Sequence, residues 1–186
     1  FKRFGFKIYM SHFIDNIELK NYLSFNDGVY SQLDNHQDTD SFGLQWNTFR
    51  ETQIDRQENT NSYDRFFNET GLSFNDFSNK LILEIGSGAG RFSNIILNYT
   101  SAKLFSIEPS SAIYANKKNN YLDKFKDRFF LIRASLYDLP FKLNQFDMVI
   151  CFGVLQHTAD IKKTIEVLTE NTKKNGLLFL DFYPYN

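Results

Sequence analysis

The chain has 186 residues, 42% of them hydrophobic, and a formal net charge of −1. That length supports one domain with a substantial core, and a balance so close to neutral carries no electrostatic footprint for nucleic acid. The single cysteine, Cys151, excludes intrachain disulfides and a Cys-based zinc cluster, and no uninterrupted apolar run approaches a membrane span.

No signal peptide is evident, and Phe1 points to a natural start further upstream, so a compact cytoplasmic enzyme is expected. The three histidines, His12, His36 and His157, lack metal-ligand spacing, and no metal is expected. The 21 Phe and 10 Tyr are mostly core candidates, and no repeat or low-complexity tract is evident.

The chain divides near residue 78. Residues 1–78 read as an N-terminal extension, and residues 79–186 as a ligand-binding core. Residues 1–40 read as short strand or loop, with a turn at Asn26-Asp27-Gly28 and a polar loop from Asp34 to Asp40. Phe42, Trp46 and Phe49 then recur at helical spacing. Two readings stay open there: a helix packing its aromatic stripe on the domain, or a lid with Trp46 as a wall and Gln45 or Arg50 reaching the site. A second amphipathic helix runs from Tyr63 to Thr70 and ends at Gly71.

Leu81 to Ile85 is an almost unbroken apolar run, as expected of a strand covered on both faces. Glu84 lies near its end, and Gly86, Ser87, Gly88, Ala89 and Gly90 form a loop with glycine at every second position. Such glycines let the backbone turn sharply and admit a ligand where a Cβ would clash. Phe92, Ile95, Ile96 and Tyr99 place a helix after Gly90. A dinucleotide fingerprint wants a small residue where Arg91 stands, and a pyrophosphate gains nothing from the carboxylate of Glu84. An ammonium and a sulfonium do gain, which favours S-adenosylmethionine over NAD.

Lys103 to Ile107 reads as a second strand ending at Glu108, about 20 residues past the loop, where a carboxylate can accept both ribose hydroxyls. Pro109 leads into a helix with Ser110 or Ser111 as its N-cap. Phe129–Arg133 and Phe146–Phe152 read as the third and fourth strands. Cys151, in the fourth, reads as a core thiol. Ile161, Ile165 and Leu168 mark a helix closed by Asn175-Gly176, and Leu177 to Tyr183 reads as a fifth strand. Five strands alternating with helices give an α/β, Rossmann-like doubly wound sheet, mostly parallel, behind an N-terminal helical and loop extension.

The runs Leu83–Ser93, Phe105–Ala112, Ala134–Phe141 and Phe146–Asp160 resemble a class I S-adenosylmethionine-dependent methyltransferase. They are similar to the branch with a Phe-Gly-x-Gln-Trp segment before the core and a Gly-Val-Leu-x-His-Thr motif after the fourth strand. The resemblance covers roughly residues 42–183. It implies that Glu84, Gly86 and Gly88 line the methionine end of the cofactor and that Glu108 binds the ribose. It further implies that Ser135 and Leu136 flank the adenine, and that backbone near Phe152 and Gly153 meets the methionine amino group. Asp138 matches the family's turn into the fourth strand, where it is more often a turn-stabilising residue than a ligand. Many relatives carry Asp at Ser135 and His at Gln156, leaving His157 as the one imidazole of the motif. His157 is either a general base or a polar residue that caps the following helix.

A full member of the family usually continues through an antiparallel hairpin, so the chain reads as C-terminally shortened, or as completed by a partner. The expected activity is methyl transfer to an O, N or C atom of a small-molecule acceptor, with no nucleic-acid or membrane partner and with oligomers open. An NAD-dependent oxidoreductase domain and a non-catalytic S-adenosylmethionine-binding module are the alternatives.

Overall fold

The computed structural model describes residues 13–32, 40–52, 54–55 and 60–182. His12, His36 and Tyr183 lie outside the described residues, as does the loop expected from Asp34 to Asp40, save Asp40 itself. Within the described part, three apolar runs form strands with the expected limits: β5 (Leu81–Ile85), β6 (Lys103–Ile107) and β7 (Phe129–Arg133). β8 (Phe146–Cys151) ends one residue earlier than the sequence suggests.

The sheet has seven strands, which corrects the expected five. β3 (Ser24–Asn26) and β4 (Val29–Ser31) come from the extension, joined through Asp27 (φ 49°) and Gly28 (φ 77°). Positive φ at both turn residues matches a type I′ hairpin, whose twist suits the strands. β4 runs parallel to β7, with Val29 opposite Leu131, while β3 is the antiparallel edge. Strands of three residues, with polar Ser24, Asn26 and Ser31, are too short to show a period, so the sequence concealed them. A smaller ribbon, β1 (Phe13–Ile14) and β2 (Ile17–Glu18), precedes them, and Leu19 bridges to Phe141.

The order is β3-β4-β7-β6-β5-β8-β9, where β9 is Thr172–Leu180, and all neighbours beyond β3 are parallel. β5 leads to β6 and β7 on one side, and β8 and β9 lie on the other. The direction of winding therefore reverses at β5 and β8, which opens a crevice at the carboxyl ends of those strands.

Alternation along the strands feeds two cores. Ile82, Leu104, Leu131 and Ile150 face α2 (Asn61–Thr70), α3 (Arg91–Tyr99) and α4 (Ala112–Asn119) through Phe66, Ile95, Ile96 and Ile113. Leu83, Phe105, Ile132 and Val149 face the β1–β2 ribbon and Leu168 of α5 (Ile161–Asn171). α2 docks by Phe66, whose ring lies 5.4 Å from Phe77 and 6.0 Å from Phe92. Burying such a side chain contributes about 1.5–3 kcal/mol.

The helix ends follow from local chemistry. α2 stops at Gly71, a left-handed cap (φ 66°) whose N–H donates to Phe67. Asp160 caps α5 by accepting from Lys163 N at 2.9 Å. Before α4 the working cap is Ser110, whose Oγ accepts from Ala112 N at 3.1 Å, whereas Ser111 makes no side-chain cap bond. α5 ends at Asn171, before Asn175-Gly176, which corrects the expected stop. That pair lies inside β9, opposite a register shift in β8 between Phe146 and Met148. No helix among the described residues is long and apolar enough to cross a membrane.

Candidate functional site

The crevice holds a cavity of about 770 Å³. Its floor is the carboxyl edge of four adjacent strands: Ile85, Gly86 and Gly88 at the end of β5 and beyond it, Ile107 to Ser110 at the end of β6 and beyond it, Ser135 and Leu136 after β7, and Phe152 and Gly153 after β8. Gln156, His157, Thr158 and Ala159 form one rim. The opposite rim includes Ser41 and Trp46 of α1 (Asp40–Thr48). The parallel course of β4 explains that wall, because it delivers the chain to the same sheet edge as the glycine loop.

Glu108 is the carboxylate at the floor and is 6% exposed. Its Oε1 accepts from Ser110 N at 2.9 Å and Ser110 Oγ at 2.5 Å, and its Oε2 accepts from Gly88 N at 3.0 Å. One side chain thus ties the glycine loop to the start of α4. Burial pushes its carboxyl above the ordinary range, opposed by the Ser110 and Gly88 bonds and by the Arg133 charge.

Glu84 stands elsewhere. Its side chain shares the face of Ile82 and points beneath α3, because strand side chains alternate. Its Oε2 accepts from Ser93 Oγ at 2.5 Å and Ser106 Oγ at 2.6 Å, and it is not among the cavity-lining residues. Ser87 and Gly90 are likewise absent from the lining. Burial raises the Glu84 carboxyl too, and the Glu108 charge adds to the rise.

These shifts give a testable sign. A raised carboxyl holds its proton to higher pH in the folded chain than in the unfolded one, so stability falls as pH rises above the ordinary glutamate pKa of about 4.3. Glu84→Gln removes one such group, so its melting temperature should gain on the wild type steadily between pH 4.5 and 7. Parallel melting curves across that range would show that Glu84 contributes nothing to the slope.

The glycine loop is open where a ligand must approach. A Cβ on Gly88 (φ 52°) would have only Trp46 Nε1 near it, at 3.9 Å, and one on Gly153 would meet nothing within 4 Å. Gly90 (φ 87°) is closed in contrast, since a Cβ there would collide with Asn116 Oδ1 and Asn120 Nδ2. Ser135 Oγ accepts from Tyr137 N at 3.3 Å, so this hydroxyl also holds its own turn. Asp138 accepts from Gln32 Nε2 at 2.6 Å, away from the lining. His157 is exposed at the rim, and its backbone N–H donates to Val154 O. Gln45 points to solvent, and the Arg50 guanidinium pairs with Glu51 at 2.9 Å; neither lines the cavity. Cys151 is buried, and burial pushes its thiol up to about 12, as a core thiol requires.

Three features went unnoticed in the sequence. Arg65 of α2 lines the cavity, lies 5.5 Å from the centre of the Phe92 ring and pairs with Asp181. Asp181 in turn accepts from Gly153 N. Arg91 lies 5.3 Å from the same ring and donates to Ser62 Oγ at 2.7 Å. Gln156 Oε1 is buried and has no hydrogen-bond partner, an orphaned acceptor on the cavity rim. Among the described residues no group of His, Cys, Asp and Glu could hold a metal ion.

The family model described as "Methyltransferase domain" matches residues 83–180, more than half of the chain. A tRNA U34 carboxymethyltransferase of Campylobacter jejuni is 31% identical over 116 residues, which is 62% of this chain and 39% of that protein. An uncharacterized protein of Methanocaldococcus jannaschii is 34% identical over 104 residues, 54% of this chain and 41% of that one. The chain therefore spans about two fifths of the length of the curated relatives it matches. A putative S-adenosylmethionine-dependent methyltransferase of Methanococcus maripaludis shares the fold with a TM-score of 0.62 at 15% identity, covering 80% of this chain and 66% of that one. So does a Haemonchus contortus phosphoethanolamine N-methyltransferase in complex with S-adenosylhomocysteine, with a TM-score of 0.56 at 20% identity, covering 75% and 31%. The matched residues run from β5 to β9 and contain every strand whose carboxyl end floors the cavity, and the chain belongs to the class I S-adenosylmethionine-dependent methyltransferase family.

Proposed function

We propose that the chain binds S-adenosylmethionine across the carboxyl edge of β5, β6, β7 and β8 and transfers its methyl group to an O, N or C atom of a small-molecule acceptor. The observation that carries the reading is Glu108: a buried carboxylate on the cavity floor, bonded to Gly88 of the glycine loop. Its Oε2, which accepts only from Gly88 N, keeps lone-pair capacity for a ribose hydroxyl. Residues 79–186 act as the cofactor-binding core, and residues 1–78 supply the Trp46 wall.

Adenine lies against Ser135 and Leu136, with Pro109 beside it. Gly88 and Gly153 offer open backbone to the methionine part, with Gly86 and Phe152 lining the cavity beside them. The guanidiniums of Arg65 and Arg91 suit its carboxylate. Glu84 acts from behind the loop, and Ser87 and Gly90 within it, holding its shape without touching the ligand. The cofactor, when bound, supplies an electrophilic methyl on a sulfonium. The aromatic faces of Phe92, Phe152 and Trp46 suit that positive charge. The rim residues hold the acceptor in line, which alone lowers the barrier substantially. His157, exposed at the rim, takes the proton of a hydroxyl acceptor; an amine acceptor does not require it.

The rim supports a small acceptor. Ser41, Trp46, Gln156, His157, Thr158 and Ala159 carry no permanent positive charge, whereas affinity for nucleic acid rests on Lys and Arg at the phosphates. The Campylobacter relative is named for transfer to tRNA, and one experiment separates the two acceptors. The chain is incubated with methyl-labelled S-adenosylmethionine and either a small-molecule extract or total tRNA. Label in the small-molecule fraction supports the reading, and label in tRNA overturns the acceptor class. Label in neither, with cofactor bound, favours a non-catalytic binding module.

A further inference from the structure

α4 ends in an unusual cluster. Asn116, Asn119 and Asn120 are all buried, although asparagine is a poor helix former. Asn116 Nδ2 donates to Ser93 Oγ at 3.0 Å, and Asn120 Nδ2 donates to Gly90 O at 3.0 Å. Asn119 does something its neighbours do not. Its one amide nitrogen donates to two backbone carbonyls in different segments, Ala89 O at 2.9 Å and Arg50 O at 2.7 Å. Ala89 sits between the last two loop glycines, and Arg50 follows α1 by two residues.

α1 is also tied to the other end of α4. Asn47 Nδ2 donates to Ser111 O at 2.9 Å, and a Cβ on Gly43 would collide with Ser111 Oγ. α1 therefore lies against α4 at two points, with Trp46 held over Gly88. Asn119 thus links the Ala89 carbonyl of the glycine loop to the Arg50 carbonyl beyond α1 through a single amide.

We infer that Asn119 is a positioning residue that sets the spacing between the Trp46 wall and the glycine loop, and so the width of the cavity at the cofactor. The inference rests on the proposed cofactor site, but the spacing it describes exists without a ligand. Asn119→Asp keeps the shape and removes both N–H donors, leaving an acceptor against two carbonyls.

Trp46 is the only tryptophan, so emission reports on this wall alone. In ligand-free Asn119→Asp, acrylamide should quench Trp46 more strongly than in the wild type. The dissociation constant for S-adenosylhomocysteine should rise roughly five- to thirtyfold. If the aspartate variant does not fold by circular dichroism, Asn119→Ala takes its place with the same expectations. Unchanged quenching and affinity, with only a lower melting temperature, would overturn the inference and leave Asn119 a plain stabilising residue. Failure of the wild type to bind S-adenosylhomocysteine would count against the proposed function instead, and the quenching comparison would still decide the role of Asn119.

Discussion

Glu108→Gln should weaken binding of S-adenosylhomocysteine by about 1.5–3 kcal/mol, roughly 10- to 150-fold, the usual worth of hydrogen bonds to a charged group. The effect has two parts. The amide loses the charge and one acceptor oxygen that would face the ribose diol. It also places an NH₂ against a donor, either Gly88 N or the Ser110 pair, since the carboxylate now accepts from both sides. The glycine loop then loses its tie to the start of α4, keeping those through Asn119 and Asn120, so melting temperature falls along with affinity. Calorimetric titration and thermal unfolding of the same preparation check both. An affinity equal to the wild type would mean that the ribose is not at Glu108.

Gly88→Val should separate affinity from stability. The left-handed backbone (φ 52°) costs a side chain about 1–2 kcal/mol. Otherwise the position is open, with Trp46 Nε1 at 3.9 Å as the one near atom. The valine branches fill the space between Trp46 and the loop, where the ligand must lie. Binding should fall by more than about tenfold, an overpacking cost of roughly 1–3 kcal/mol, with a modest drop in melting temperature. Gly90→Ala is the contrast, because its Cβ runs into the Asn116 and Asn120 amides and its damage falls on folding. Equal affinity in Gly88→Val and wild type would place the ligand elsewhere.

The core strands were legible because burial on both faces writes a continuous apolar run, and turn residues bound each one. Leu81–Ile85, Lys103–Ile107 and Phe129–Arg133 show this residue by residue. β3 and β4 were not, because three-residue strands borrow their stability from β7 and need no pattern of their own. Glu108 was legible from its spacing, and it lines the cavity. Glu84 was harder. The same spacing places it two residues before the loop, but strand alternation turns its side chain towards Ser93 and Ser106.

Arg65 had no usable signal, since its place depends on how Phe66 and Phe67 dock α2. The asparagines of α4 did leave one. Three poor helix formers within five residues of a helical stretch mark polar groups kept for a purpose other than helix propensity. The same logic applies to Gln156, whose unpartnered acceptor becomes visible only once the rim is built.

Calorimetric titration of the unaltered chain, once with S-adenosylhomocysteine and once with NAD, bears on the central claim most directly. A cavity floored by Glu108 and the open glycine loop should give saturable heat with the first at one site per chain, and none with the second. Saturable binding of NAD, with no heat from S-adenosylhomocysteine, would contradict the assignment of this crevice.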